Sequence, residues 1–132
     1  MTSVADTRLL IFMEFPATQQ MGVKTRDFFV NELKQQVIVP TIVLTEFIKI
    51  AGIKIGQEAA KNRIRQLKER GLQIVSLDEN HSLTAGSLLL LNGNIPIADA
   101  IIASYVINGD ADYVLTDDPH YKTLNIKTKW LL

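Results

Sequence analysis

The chain has 132 residues, of which 47% are hydrophobic and 21% are charged. This is enough for a folded domain with its own core, and it excludes an intrinsically disordered protein. No cysteine is present, which excludes a disulfide scaffold, a cysteine-ligated zinc site and a cysteine nucleophile. The 14 basic and 14 acidic residues give a formal net charge of zero, so any RNA binding needs a local basic surface or metal ions that neutralise phosphate.

The N-terminal region shows no sign of a signal peptide or a membrane span. Residues 1–5 contain no basic residue, and the apolar run at residues 9–15 is interrupted by Glu14. That run is also far shorter than the ~20 residues of a membrane-spanning helix. We therefore expect a cytoplasmic protein, and the lack of repeats or linkers predicts a single domain over residues 1–132.

Short runs rich in β-branched residues alternate with segments of helical periodicity. In chain order, the predicted strands are residues 3–5, 37–39, 72–77, 113–115 and 126–131. The predicted helices are residues 26–35, 42–51, 55–70, 83–91 and 98–107, with Gly71 closing the third in a left-handed conformation. This alternation is typical of an α/β fold. We predict a three-layer α/β/α sandwich with a central, mostly parallel sheet.

Acidic residues follow two of these strands and lie inside two apolar helices. Asp6 ends the first strand, and the pair Asp117 and Asp118 follows the fourth. Glu46 and Asp99 lie in helices made mainly of apolar residues, where an ionised carboxylate is costly unless it is paired or binds a metal. Ligands of an open parallel sheet bind at the carboxyl ends of the strands, so we expect these acids to converge there.

Several carboxylates at one edge of a sheet repel one another, and a divalent cation relieves this repulsion. Oxygen ligands favour a hard ion such as Mg2+ or Mn2+. Such an ion activates water, orients a phosphodiester and stabilises the leaving oxygen. The sequence therefore predicts a metal-dependent phosphoryl hydrolase that needs no side-chain nucleophile.

Four motifs carry a family resemblance. They are Asp6-Thr7 after a short strand, PTIVLTEF at residues 40–47, IADAIIA at residues 97–103 and YVLTDDPHY at residues 113–121. In this order, and over nearly the whole chain, they resemble the PIN domain, which includes toxin ribonucleases of VapC type and related archaeal proteins. The resemblance implies a Mg2+- or Mn2+-dependent endoribonuclease of PIN-like fold.

The resemblance also implies a set of site residues. Asp6, Glu46, Asp99 and Asp118 become the catalytic and metal-binding acids, with Glu46 or Asp118 as the general base. Asp118 is selected because the family's acid stands two residues after a threonine, although Asp117 stays an alternative ligand.

Two further positions follow from the same comparison of motifs. Thr116 is expected to hold the strand end by hydrogen bonding. Many relatives carry Ser or Asn two residues after the first Asp, whereas this chain has Arg8, and this departure puts a water-holding role of that position in doubt.

The resemblance implies partners as well. A toxin of this family would bind a small antitoxin that inserts a segment into the site, and the family commonly forms homodimers. Four aromatic residues in the early helices are candidates for a dimer contact, with core packing as the default: Phe12, Phe15, Phe28 and Phe29.

Each acidic residue also has an ordinary structural explanation. Asp6 and Asp118 precede helices and suit N-cap positions. Glu46 would lie on the wet edge of its helix, where Lys49 is near enough to pair with it. Asp99 is also close enough to a helix start to cap it.

Other polar and aromatic residues are ambiguous in the same way. Lys61, Arg65 and Lys68 share a helix face that would either contact RNA phosphates or simply face solvent. His81 and His120 are too few for a zinc site without cysteine, so we expect surface residues. Trp130 and Tyr121 would stack on bases or, as we expect, pack in the core.

Other functions remain open on the sequence alone. One is a non-catalytic PIN-fold module that binds RNA or protein, and a weaker one is a DNA-directed nuclease. Another is a Mg2+-dependent phosphatase or phosphoryl-accepting domain, but a receiver-like site needs an acidic pair where Asp6 stands alone and a lysine nearer the strand end than Lys122.

Overall fold

The structure, a computed structural model, describes residues 1–131. Its strands are β1 (Thr2–Ala5), β2 (Gln36–Pro40), β3 (Gln73–Val75), β4 (Tyr113–Leu115) and β5 (Thr128–Lys129). Its helices are α1 (Thr7–Glu14), α2 (Gln19–Glu32), α3 (Thr41–Ile55), α4 (Gln57–Glu69), α5 (Glu79–Leu91), α6 (Ile97–Ile107) and α7 (His120–Thr123). None of the described helices is long and apolar enough to cross a membrane.

The five strands form one sheet in the order β3-β2-β1-β4-β5, and every neighbouring pair is parallel. For this strand order, the rule that crossovers are right-handed puts α1 to α4 on one face and α5 and α6 on the other. Here α1 packs on α2 and α3, α3 packs on α4, and α5 packs on α6. The predicted α/β/α architecture is confirmed, with a sheet that is parallel throughout.

The central strands are apolar on both faces because helices cover both sides of the sheet. Val4 of β1 pairs with Ile38 of β2 and with Val114 of β4, and all three are buried. This pairing brings the carboxyl ends of β1 and β4 side by side. The residues that follow these two strands, from Asp6 and from Thr116 onwards, are therefore neighbours.

Some predicted boundaries differ from those of the structure. The helix expected from residue 26 begins at Gln19, where the Thr18 side chain accepts a hydrogen bond from the Met21 N–H at 3.1 Å. The strand expected at residues 72–77 ends at Val75, and α1 and α7 lie outside the ranges predicted from periodicity. Gly71 has a φ of +114°, as expected of the residue that closes α4.

The aromatic residues divide between the core and its edge. Phe29 and Tyr121 are fully buried, which makes Phe29 a core residue rather than a dimer contact. Phe12, Phe15 and Phe28 are half-buried. Trp130 packs edge-on against Phe12, with ring centroids 5.8 Å apart, and lies 6.4 Å from Phe28.

His81 is buried, which corrects the expectation of a surface residue. Its Nδ1 lies 2.6 Å from Asp78, its Nε2 contacts Asp110, and its ring stacks on Tyr105 with centroids 3.9 Å apart. Burial disfavours the charged ring, but the hydrogen bonds to the two aspartates outweigh this effect and raise the pKa of His81. The contact joins the start of α5 to the loop before β4.

We expect this contact to make stability depend on pH. A raised pKa means that the stabilisation is fully present below the unfolded-state pKa of about 6.5 and is lost as pH rises through the folded-state value. The wild type should exceed His81→Gln in free energy of unfolding by about 1–2 kcal/mol at acidic pH. Urea titrations across the pH range test this, and a difference that stays constant with pH would contradict it.

Candidate metal centre

A cavity of about 320 Å³ lies at the carboxyl edge of the sheet. Four acidic side chains line it: Asp6, Glu46, Asp99 and Asp118. The other lining residues are Thr7, Arg8, Ile11, Phe12 and Ile50. The structure thus brings together four acids that are far apart in the chain.

Asp6 follows β1 directly and is only 3% exposed. The Thr116 hydroxyl donates a hydrogen bond to Asp6 Oδ2 at 2.8 Å and accepts one from the Asp118 N–H at 3.0 Å. The Thr116 hydroxyl therefore links Asp6, which follows β1, to Asp118, which follows β4. The Asp6 side chain makes no capping hydrogen bond to α1, so helix capping does not explain this aspartate.

Asp99 lies in the first turn of α6 and is 8% exposed. His120 Nδ1 lies 2.8 Å from Asp99 Oδ2 and 3.0 Å from Asp118 Oδ1. Ligand atoms of these three residues all lie within 4.8 Å of one another. His120 was expected to be a simple surface residue, and its position two residues after Asp118 was the available signal for a place in the cluster.

Asp118 also has a local structural role. Its Oδ1 accepts a hydrogen bond from the His120 N–H at 2.9 Å, which supports the start of α7. Within residues 1–131, its second oxygen makes no hydrogen bond. Capping and metal binding are therefore compatible in this residue.

Glu46 reaches the cavity from α3. The Thr7 hydroxyl, at the start of α1, donates a hydrogen bond to Glu46 Oε1 at 2.6 Å. Glu46 is therefore oriented by Thr7, and not by an ion pair with Lys49 at the helix surface. The hydrogen bond also ties the first turn of α1 to the middle of α3.

Asp117 and the predicted basic face lie outside this cavity. Asp117 pairs with Arg8, whose Nε is 2.6 Å from Asp117 Oδ1. Three other basic residues are exposed on α4, and none of them lines the cavity: Lys61, Arg65 and Lys68. Arg8 thus places a cation at the rim of the cavity.

Burial and mutual repulsion make the cluster unfavourable when all its acids are ionised. Burial raises the pKa of Asp6 to about 7, although the hydrogen bond from Thr116 opposes the shift. Burial likewise raises the pKa of Asp99, against the hydrogen bond from His120. The hydrogen bond to Asp99 in turn raises the pKa of His120.

The donor set fits a hard divalent cation. Carboxylate oxygens are the ligands that Mg2+ and Mn2+ prefer. A cation beside Asp6 and Asp99 would also favour their ionised forms, which burial disfavours. The residues that line the cavity therefore suit Mg2+ or Mn2+.

The chain is an α/β protein with a parallel sheet and four carboxylates around one cavity at the carboxyl ends of its strands. The chain belongs to the PIN domain family, whose model matches residues 6–127. No curated protein sequence matches the chain.

Several solved structures share the fold. A chain of VapBC2 from Rickettsia felis, bound to a DNA fragment from the promoter, has a TM-score of 0.78 at 18% identity, covering 98% of both chains. VapC20 from Mycobacterium tuberculosis, a Sarcin-Ricin loop cleaving toxin, has a TM-score of 0.76 at 11% identity, covering 94% of this chain and 95% of its own. A toxin-antitoxin complex from Klebsiella pneumoniae gives 0.67 at 16% identity, with coverages of 89% and 87%.

The raised pKa of Asp6 predicts how a neutral side chain affects stability. For a carboxyl group with a raised pKa, stability falls as pH rises from the unfolded-state value near 3.8 to the folded-state value near 7. Asp6→Asn should therefore raise the free energy of unfolding of the metal-free protein at pH 8 by a few kcal/mol. At pH 4 the gain should disappear.

Thermal unfolding in EDTA measures the stability of the metal-free protein, and thermal unfolding in Mn2+ measures the stabilisation by the bound ion. Mn2+ should raise the Tm of the wild type, because it binds the folded state alone, and it should leave the Tm of Asp6→Asn unchanged. Asp27→Asn is the matched control, since it removes an exposed acid on α2 that does not line the cavity. An equal Mn2+ shift in wild type and Asp6→Asn would contradict the site.

Proposed function

We propose that this protein is a divalent-metal-dependent endoribonuclease. The observation that carries the proposal is the convergence of four carboxylates on one cavity at the sheet edge: Asp6, Glu46, Asp99 and Asp118. Membership of the PIN domain family supports the same activity. The chain acts, on this proposal, as one domain over residues 1–132 in the cytoplasm.

Asp6, Asp99 and Asp118 would hold Mg2+ or Mn2+. When bound, the ion lowers the pKa of a water molecule and stabilises negative charge on the phosphodiester and its leaving oxygen. Asp117 is the weaker candidate for a ligand, because Arg8 already pairs with it.

The surrounding side chains orient these acids. Thr116 fixes Asp6 and the backbone of Asp118, and His120 holds Asp99. These contacts restrict the carboxylates to one arrangement, which lowers the cost of assembling the site when substrate arrives.

We assign the proton acceptor for the attacking water to Glu46 in preference to Asp118. Its Oε1 is held by Thr7, and within residues 1–131 its Oε2 makes no hydrogen bond. Oε2 therefore has a free lone pair for the proton that the water loses. Asp118 Oδ1 already accepts two short contacts from His120, and on this proposal its other oxygen is a ligand of the metal ion.

RNA is the proposed substrate class. The Mycobacterium tuberculosis neighbour is a Sarcin-Ricin loop cleaving toxin, which supports RNA over DNA for a chain of the same fold and family. The zero net charge also fits an enzyme that handles phosphate through a metal ion rather than through a basic overall surface.

RNA cleavage by the purified protein tests the activity. With Mg2+ or Mn2+ the wild type should cut single-stranded RNA, and Asp99→Asn should lower the rate by about 100-fold or more, as expected when a group central to electrostatic stabilisation is removed. The matched control is Asp27→Asn, an exposed acid on α2. Cleavage that survives both EDTA and Asp99→Asn would exclude the mechanism.

We further propose that the protein is the toxin of a toxin-antitoxin pair. The support is its fold likeness to VapBC2 and to a toxin-antitoxin complex from Klebsiella pneumoniae. The product of the adjacent gene should co-purify with the chain and suppress its RNA cleavage. An adjacent gene product that neither binds the chain nor inhibits its RNA cleavage would contradict the toxin assignment.

Light scattering on the purified chain tests the homodimer that the family resemblance implies.

A further inference from the structure

A second cavity, of about 200 Å³, lies among α1, α2 and α4. Three arginines line it: Arg26 from α2, Arg63 from α4 and Arg70 directly after α4. The other lining residues are Met13, Glu14, Pro16, Gln66 and Leu67. We name this site the arginine cavity. Its volume is several times the ~30 Å³ of a water molecule in the liquid, which is room for a small anionic group.

The charges of the arginine cavity are not balanced. Glu14 is its one acidic lining residue, and it pairs with Arg63. Within residues 1–131, Arg26 and Arg70 have no carboxylate within salt-bridge distance. Two guanidinium groups therefore face one small cavity without an internal counterion, and guanidinium is the side-chain group best shaped to bind phosphate.

Part of the cavity wall is apolar. Met13 and Leu67 are buried beneath the arginines. The three arginines are exposed to solvent, so an anion can reach their guanidinium groups directly.

The position of the arginine cavity relates it to the metal centre. Thr7, Arg8, Ile11 and Phe12 of α1 line the acidic cavity, and Met13 and Glu14 line the arginine cavity. The two sites thus adjoin along α1, which has 8 residues and a length of about 12 Å. A short stretch of single-stranded RNA is long enough to contact both.

The geometry points to the arginine cavity as a second phosphate-binding site, which holds a backbone phosphate of RNA away from the bond that is cut. This inference rests on the proposed ribonuclease function and adds the residues that bind the substrate. It also places RNA contacts on a different face of α4 from the one formed by Lys61, Arg65 and Lys68. Arg63 shares one face of α4 with Gln66 and Leu67, and Arg70, seven residues after Arg63 and directly after the helix, continues that face.

The test measures RNA binding separately from cleavage. Fluorescence anisotropy with a labelled single-stranded RNA of mixed sequence is recorded in EDTA, so that the RNA stays intact. Arg26→Gln/Arg70→Gln should raise the Kd about tenfold. The slope of log Kd against the logarithm of the salt concentration should decrease by about 1.4, because each lost phosphate contact with a single strand contributes about 0.7 to that slope. The variant keeps the Glu14–Arg63 pair.

The matched control is Lys61→Gln/Lys68→Gln, which removes the same charge from the other face of α4 and should change the Kd less than about twofold. Circular dichroism and Tm establish that both variants fold, and Arg70→Gln alone serves if the double variant does not. Equal weakening in both pairs, or an unchanged Kd in the arginine pair, overturns the inference.

Two further arms identify the source of the anion. If inorganic phosphate raises the Tm of the wild type but the arginine pair binds RNA normally, the cavity takes a free anion only and the inference fails. If a polyglutamate peptide, rather than RNA, depends on Arg26 and Arg70, the ligand is an acidic protein segment and the inference also fails. RNA cleavage by the wild type in either case leaves the proposed function intact, whereas absence of both binding and cleavage removes both proposals.

Discussion

The site depends on keeping negative charges close together at the carboxyl edge of the sheet, where two of the acids are buried. Parallel pairing of β1 with β4 forces Asp6 and Asp118 into proximity, and the Thr116 hydroxyl joins them through two hydrogen bonds. Asp99 enters from α6, where His120 offsets part of its charge. Burial, and after it repulsion by the neighbouring acids, raises the pKa of Asp6 and Asp99, and a hard divalent cation would supply the counter-charge.

The rest of the fold serves to hold this arrangement rigid. Helices on both faces bury the central strands, so the strand ends cannot shift independently of the core. Glu32 gives an example remote from the site: buried near the end of α2, it accepts hydrogen bonds from Tyr113 at 2.6 Å and Lys129 at 2.9 Å. These contacts anchor the short strand β5 to β4 and to α2.

The strands and the acidic convergence were predictable because each depends on local pattern plus one topological rule. Residues 37–39 are all β-branched and apolar, which predicts a buried strand. An acid that directly follows a parallel strand is expected at the carboxyl edge of the sheet. Contacts between distant residues with weak sequence signals were not predictable. Nothing local indicates that His81 contacts Asp110 or that Arg26 and Arg70 share a cavity, because these pairings depend on how helices and loops pack. For the contact of His120 with Asp99, the one local signal is the position of His120 two residues after Asp118.

Helix α1 has a consequence for how this chain can vary. Its first residue, Thr7, is hydrogen-bonded to α3, and its last, Glu14, is paired with α4. With both ends fastened, the helix is a spacer of fixed length and fixed rotation. Inserting or deleting one residue would turn its far end by about 100° and detach one fastening, so variation in α1 is confined to replacement of side chains at constant length.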